Sequence, residues 1–326
     1  MIPYDIRVYQ ANTLADAREA WADAAAEGLK SYFMSGGTEV VTLARDGKQI
    51  PGALIDIKRI PEAQGIHTVA DPVRGDTLRI GAAVPLSVLR DDERFGLFSR
   101  AAGGVADRTV RNMITLGGNI AGMLPYREAV LPFLLFDTTA EIAVPAAEAA
   151  HAAGGADAGR IGGIREAPLS EAFRNRLLLG EGEFLVALRI PASTLDSPWF
   201  YRRRTRDSRV DYPLVTLCAV RHEGSVRFSV SGAFNAPVRE AAAEAAYATV
   251  AGQPGKPSGQ PGSERGQSAA GAGHSAAART IAAAFTAKLR EDFRAGADYR
   301  RALLELSLEE MIDTMERRTG GADENL

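Results

Sequence analysis

Phe33-Met34-Ser35-Gly36-Gly37-Thr38-Glu39-Val40 is the stretch on which the reading turns. It begins within a run of strand-forming residues, Tyr32-Phe33-Met34, and opens a turn at its glycine pair. Glycine admits positive φ and has no Cβ to keep a ligand off the main chain. Consecutive N–H groups at such a turn can therefore point at a diphosphate, with Ser35 and Thr38 adding hydroxyl donors. A second pair, in Thr115-Leu116-Gly117-Gly118-Asn119, repeats the pattern after another extended stretch. A lone Gly-Gly is more often only a turn, but two such cradles could grip one extended dinucleotide. Neither pair has the G-x-G-x-x-G spacing with a downstream acid, and neither runs into G-K-[ST], so the nucleotide would be held by something other than a Rossmann unit or a P-loop.

Around these motifs the chain reads as mixed α and β without strict alternation. Tyr4–Val8, a helix from Thr13 to a C-capping Gly28, Tyr32–Met34 and Ala53–Ile57 give strand, helix, strand, strand over residues 1–60. Thr13 followed by Asp16 is a capping-box arrangement. Strands are expected at 78–80 and 141–144, with helices near 85–90, 100–106 and 129–135. Three further strands, Phe184–Ile190, Tyr212–His222 and Val226–Ala233, precede C-terminal helices. Residues 146–166 read as a weakly structured break. Residues 251–276, rich in Gly, Pro, Ser and Gln, read as a disordered insertion unable to offset its ordering entropy. The resulting domains are 1–60, 61–176 and 177–326.

Composition excludes several classes. Lys+Arg 38 against Asp+Glu 41 gives a charge of −3, which provides no global field for nucleic acid or an anionic membrane. No uncharged apolar run reaches a bilayer span, and the first residues lack a signal-peptide pattern, so a cytoplasmic protein is expected. The single cysteine, Cys218, lies in an apolar run and cannot by itself form a disulfide, a cysteine-built zinc site or an iron–sulfur cluster. The four histidines share no metal-ligand spacing. No residue takes a catalytic or metal-binding role.

The runs Gly36–Val40, Leu54-Ile55-Asp56-Ile57-Lys58-Arg59-Ile60-Pro61-Glu62 and Thr115–Ala121, in this order and spacing, resemble the FAD-binding medium subunit of the xanthine dehydrogenase and carbon monoxide dehydrogenase family of molybdenum hydroxylases. Phe184–Pro191, Tyr201–Arg206 and Asp292–Arg301 extend the resemblance, with Gly296 where the family's closing S-x-x-Y-R run has serine. The resemblance implies an α+β fold of the vanillyl-alcohol-oxidase (PCMH) type, with two FAD-binding subdomains and a C-terminal domain of a three-stranded sheet and a helical bundle. It implies that FAD is bound non-covalently. Phe33, Met34, Ser35, Gly36, Gly37, Thr38, Glu39 and Val40 would hold the pyrophosphate and adenine side, and Thr115, Gly117, Gly118 and Asn119 the second wall. Glu128 falls where the family usually has an aspartate near the ribityl or phosphate region. Leu185 matches an apolar backbone contact, Arg202 a basic residue near the flavin, and Tyr212 an aromatic over the isoalloxazine.

From the residues alone, Glu128 also reads as a first-turn helix acid, Tyr212 as a half-buried core aromatic, and the arginines of 202–206 as a solvated strand face. By resemblance, molybdopterin and [2Fe-2S] clusters belong to a large and a small partner subunit, and the flavin passes electrons to NAD or another acceptor. A self-contained FAD-dependent oxidase or reductase, and a non-catalytic nucleotide-binding scaffold, are the alternatives.

Overall fold

The computed structural model describes residues 2, 4–70, 75–92, 94, 96–145, 160–161, 163–208, 210–251 and 264–317. They form two compact units. The first takes Met1–Arg94, Val105–Met123 and Phe136–Leu195; the second takes Phe95–Gly104, Leu124–Leu135 and Asp196–Leu326.

The first unit begins with β1 (Arg7–Gln10), α1 (Leu14–Ala26), β2 (Ser31–Met34), α2 (Thr38–Arg45) and β3 (Ala53–Asp56). Both β1 and β2 pair in parallel with β3, giving the order β1-β3-β2. Parallel neighbours need a crossover, and α1 and α2 supply the two. The capping box at Thr13 is formed, with its hydroxyl accepting from Asp16 N–H while the Asp16 carboxylate accepts from Thr13 N–H. Gly28, at φ +70°, ends the helix in the left-handed region. Small residues Ala17, Ala20 and Ala24 line the buried face of α1, which packs with Ile55, Ile57, Phe184 and Val186.

Helix α2 differs from the strand, helix, strand, strand expectation. Its Thr38, Val40, Val41 and Thr42 are β-branched and favour a strand locally. Gly37, at φ +73°, turns the chain into a helix instead.

A six-stranded antiparallel sheet follows, built from β4 (Ile66–Val69), β5 (Thr77–Gly81), β6 (Thr139–Ala143), β7 (Arg160–Ile161), β8 (Ile164–Pro168) and β9 (Phe184–Pro191), in the order β4-β5-β9-β6-β8-β7. The strand at 184–190 therefore belongs to the first unit and not to a domain starting at 177. It is central, with Leu188 opposite both Ile80 and Ala140, and its nearly continuous apolar run suits a strand covered on both faces. The expected boundaries at 60 and 176 likewise do not divide the compact units. On one face Glu141 takes ion pairs from Arg79 at 2.7 Å and Arg189 at 3.1 Å, and Arg189 also bonds Glu166. The break at 146–166 is partly ordered, because β7 and β8 close its far end; residues 146–159 and 162 lie outside the described residues.

Short helices α3 (Leu86–Asp91), α5 (Arg108–Arg111), α6 (Leu116–Ala121) and α7 (Leu169–Ala172) complete this unit, and α4 (Gly96–Gly104) belongs to the second. The helix expected at 129–135 is two 3-10 turns, Glu128–Val130 and Pro132–Leu134, interrupted where Pro132 lacks an N–H.

In the second unit, β10 (Trp199–Thr205), β11 (Pro213–His222) and β12 (Ser225–Ser231) form an antiparallel sheet in that order. This is the expected three-stranded sheet with a different first strand. Arginines conceal β10, whereas the β11–β12 hairpin turns on Glu223 and Gly224, both at positive φ, as a two-residue primed turn requires. Helices α8 (Ala241–Ala251), α9 (Glu264–Ala283) and α10 (Ala297–Arg317) cover one face. Leu304, Leu308, Met311, Ile312 and Met315 of α10 pack with Leu217, Phe228, Val230, Ala278 and Ile281. Helix α9 corrects the expected insertion at 251–276: an alanine-rich run favours helix from Glu264 onward, and residues 252–263 lie outside the described residues.

The fully buried Arg300 donates to the carbonyls of Leu214 and Gly232 and pairs with Asp292 at 2.7 Å. This explains the arginine of the Tyr-Arg signature as a structural strut. Burial pushes the Asp292 carboxyl up, but hydrogen bonds from Arg290, the Arg294 N–H and Arg300 outweigh it and hold the group at about 2.

Candidate functional site

The first glycine loop joins the carboxyl end of β2 to the start of α2, where helix amides and the macrodipole favour an anion. Among the described residues, no protein group accepts from the N–H of Gly36, Gly37 or Thr38. The Ser35 hydroxyl is buried and has no hydrogen-bond partner. A Cβ on Gly36 would stand 2.1 Å from the Met113 carbonyl oxygen, so only glycine allows this loop to meet the segment leading into the second glycine pair. The sequence motif and its spacing therefore bring two distant stretches together.

The second pair works differently. Gly117 N–H donates to the Ala82 carbonyl at 2.8 Å, Gly118 N–H to the Thr115 hydroxyl at 3.2 Å, and Asn119 N–H to the Thr115 carbonyl at 2.9 Å. Its amides are thus consumed within the protein, and the pair is not a second cradle of free N–H groups. A Cβ on Gly117 would lie 2.6 Å from that of Ala82, so this glycine lets α6 sit close on the chain after β5. Ala82 N–H in turn donates to the Val186 carbonyl, which links α6 to β9 beside the buried Leu185.

The remaining residues of the first loop divide by role. Phe33 stacks on Trp21 at 5.0 Å and meets Phe184 at 4.5 Å, so its half-buried ring packs against the core. Met34 flanks Gly37, with its sulfur 3.2 Å from where a Cβ would be. The Glu39 carboxylate accepts from Met123 N–H at 2.6 Å and so ties α2 to the end of α6. Val40 is half-buried on α2. Lys58, just past β3, was not singled out by sequence; its ammonium donates to the Ser35 carbonyl at 3.1 Å and to Asp56 at 2.6 Å. The signal for it was Asp-x-Lys at the end of the central parallel strand.

Glu128, Arg202 and Tyr212 lie in the second unit. Glu128 is 3% exposed and accepts from Arg203 at 2.8 Å and from the Thr216 hydroxyl at 2.6 Å, a buried ion pair inside the sheet. Burial alone would lower the Arg203 guanidinium, but Glu128 outweighs that and raises it. Burial and then the Glu128 charge push the neighbouring Tyr201 hydroxyl and Cys218 thiol well up, so both stay protonated and the cysteine is no thiolate. Arg202 is half-exposed and pairs with Glu310 at 2.6 Å. Tyr212, 44% exposed, stacks on Tyr126 at 4.6 Å with the Arg294 guanidinium 4.6 Å from its ring.

Among the described residues, no cluster of three or more His, Cys, Asp or Glu could hold a metal ion, and no helix is long and apolar enough to cross a membrane. The first unit thus carries a loop with free amides, an unpartnered buried hydroxyl and a helix start, closed against a second glycine segment, an arrangement of donors that can accept an anion.

Residues 4–193 match the family described as the FAD binding domain in molybdopterin dehydrogenase, and the chain belongs to that family. It is 29% identical over 141 residues to the xanthine dehydrogenase FAD-binding subunit of Escherichia coli O157:H7, a match covering 42% of this chain and 46% of that protein. The chain thus spans about half the length of that relative. It is also 29% identical over 249 residues, 68% of this chain and 79% of the other, to the carbon monoxide dehydrogenase medium chain of Hydrogenophaga pseudoflava. Carbon monoxide dehydrogenase from Hydrogenophaga pseudoflava shares the fold, with a TM-score of 0.73 at 23% identity over 98% of this chain and 99% of that one. The α+β, PCMH-type fold expected from sequence is the fold observed.

Proposed function

We propose that this chain is the flavin subunit of a cytoplasmic molybdenum hydroxylase complex, an oxidoreductase assembly in which a small iron–sulfur subunit delivers electrons and a large molybdopterin subunit oxidises the substrate. The observation that carries this reading is the Ser35–Thr38 loop, whose free amides and orphaned Ser35 hydroxyl supply donors for a pyrophosphate. When bound, FAD supplies a centre that exchanges electrons singly or in pairs, and so joins one-electron clusters to NAD or another two-electron acceptor.

The chain's own residues bind and orient. Gly36, Gly37 and Thr38 N–H and the Ser35 hydroxyl donate to phosphate oxygens, and the start of α2 adds its dipole. Thr115, Gly117, Gly118 and Asn119 set the second wall through packing, and Leu185 backs it from β9. Arg202 and Tyr212 are proposed to face the flavin end, with Tyr212 supplying an aromatic surface. Glu128 acts through Arg203 and Thr216, as a support for the sheet. Cys218 is buried, which fits clusters held by another chain.

The test is to purify the chain, load it with FAD, and follow flavin bleaching anaerobically with and without an iron–sulfur and a molybdopterin subunit. Bleaching by an organic substrate is expected only when both partners are present. Turnover by the isolated FAD-loaded chain would overturn the relay, and failure to take up FAD would overturn the cofactor assignment.

A further inference from the structure

Resting on the FAD reading, we propose that Lys58 is a positioning residue for the pyrophosphate: it fixes the orientation of the Ser35–Gly36 peptide so that the Gly36 N–H is presented to the ligand. This peptide turns about Ser35 ψ and Gly36 φ, and Gly36 carries no Cβ that would restrict the second rotation. Something outside the loop must hold it. The topology provides the means: β3 lies between β1 and β2, so the segment leaving its carboxyl end runs beside the loop leaving β2.

Lys58 is itself held at three points. Its backbone N–H donates to Asp56 at 3.0 Å, its ammonium donates to the same carboxylate at 2.6 Å, and its carbonyl accepts from the Gln64 amide at 2.7 Å. From this fixed base the ammonium donates to the Ser35 carbonyl at 3.1 Å. In a trans peptide the C=O and the following N–H point in opposite directions. Drawing the Ser35 carbonyl toward Lys58 therefore turns the Gly36 N–H to the other side of the loop, where no described protein group accepts it. Met113 restrains Gly36 from the flank, at a separation no side chain could share. An exposed Lys–Asp pair alone contributes little to stability. The bond to a backbone carbonyl at the head of an anion-binding loop gives this one a purpose. Because Asp56 balances the ammonium, Lys58 acts by orientation more than by net charge.

The experiment uses the full chain and measures dissociation constants for FAD and ADP and the apo-protein melting midpoint in the wild type, Lys58→Met and Lys58→Arg. Loss of a charge-assisted hydrogen bond that orients the loop is expected to weaken FAD and ADP together by about tenfold to a hundredfold in Lys58→Met. The apo midpoint should stay as in the wild type. Lys58→Arg, which keeps a donor for the Ser35 carbonyl, should recover most of the affinity. Wild-type affinity in Lys58→Met would overturn the proposal. So would a loss matched by an equal fall in the apo midpoint. A wild-type chain that binds neither FAD nor ADP would instead refute the underlying FAD reading.

Discussion

Replacing Gly36 with alanine tests whether the two glycine segments are held together by backbone contact. The new Cβ would lie 2.1 Å from the Met113 carbonyl oxygen, 3.1 Å from its carbon and 3.3 Å from the Ile114 Cα. Ordinary carbon–oxygen contact begins near ~3.3 Å, so the segments must separate by about 1 Å. Neither side can yield by rotating a side chain. The 113–114 segment is fixed by the Leu86 N–H on the Ile114 carbonyl at 2.8 Å, and Gly36 lies between β2 and α2. Overpacking of this kind costs about 1–3 kcal/mol, while the stiffer unfolded chain returns about 0.4–1 kcal/mol. A net loss of about 1–2 kcal/mol follows from those two terms.

Two companion variants separate packing from backbone strain. Gly37→Ala meets nothing nearer than the flexible Met34 sulfur at 3.2 Å, but must hold φ +73°, at a cost of roughly 1–2 kcal/mol. Gly47→Ala has nothing within 4 Å and φ +67°, so it carries the φ penalty alone. Urea midpoints and FAD titrations of the three should therefore diverge. Gly47→Ala loses stability but keeps wild-type FAD affinity, whereas Gly36→Ala loses both, with affinity down about tenfold or more for the displaced loop. A Gly36→Ala protein that unfolds and binds FAD like the wild type would refute the reasoning.

Asp292 makes the second unit acid-sensitive. Its folded value of about 2 lies below the ordinary 3.8, so its stabilisation is fully present above the unfolded value and fades as pH falls through the folded one. About 1–2 kcal/mol, after discount for solvent screening, is expected to disappear between roughly pH 4 and 2, and Asp292→Asn should flatten that part of a denaturation-versus-pH curve. Glu128→Gln, which leaves Arg203 buried beside a neutral amide, should cost about 3–5 kcal/mol. Glu128→Asp, too short to reach both Arg203 and Thr216, should cost about 1–3 kcal/mol, measured by urea unfolding of the FAD-free chain.

The site was legible where chemistry is local. Gly36-Gly37 after a strand announces a turn that can hold an anion, and Thr13 with Asp16 announces the start of α1. Both depend on residues only a few positions apart. What escaped depends on partners far along the chain. Gly117 and Gly118 carry the same letters as Gly36 and Gly37, but their amides are taken by Ala82 and Thr115, and no sequence pattern records which acceptors a fold will bring. Glu128 reads as a helix acid because Arg203 and Thr216 are 75 and 88 residues away. Helix α2 is hidden by β-branched residues, and β10 by arginines whose carboxylate partners come from other elements. Phe184–Ile190 reads as a strand, but sequence order puts it with its successors, whereas the sheet places it between β5 and β6.

That placement has a consequence for how the chain comes into being. Among the described residues, strands β5 and β6 are joined only through β9, which is made at least forty residues after both. Until Pro191 has been synthesised, each of them presents an open row of N–H and C=O groups alongside Leu78, Ile80, Ala140 and Ile142, a template for pairing with other chains. A fragment cut at 176, where the sequence suggests a domain end, keeps both open edges and is expected to aggregate. One carried through Leu195 contains the strand that closes them.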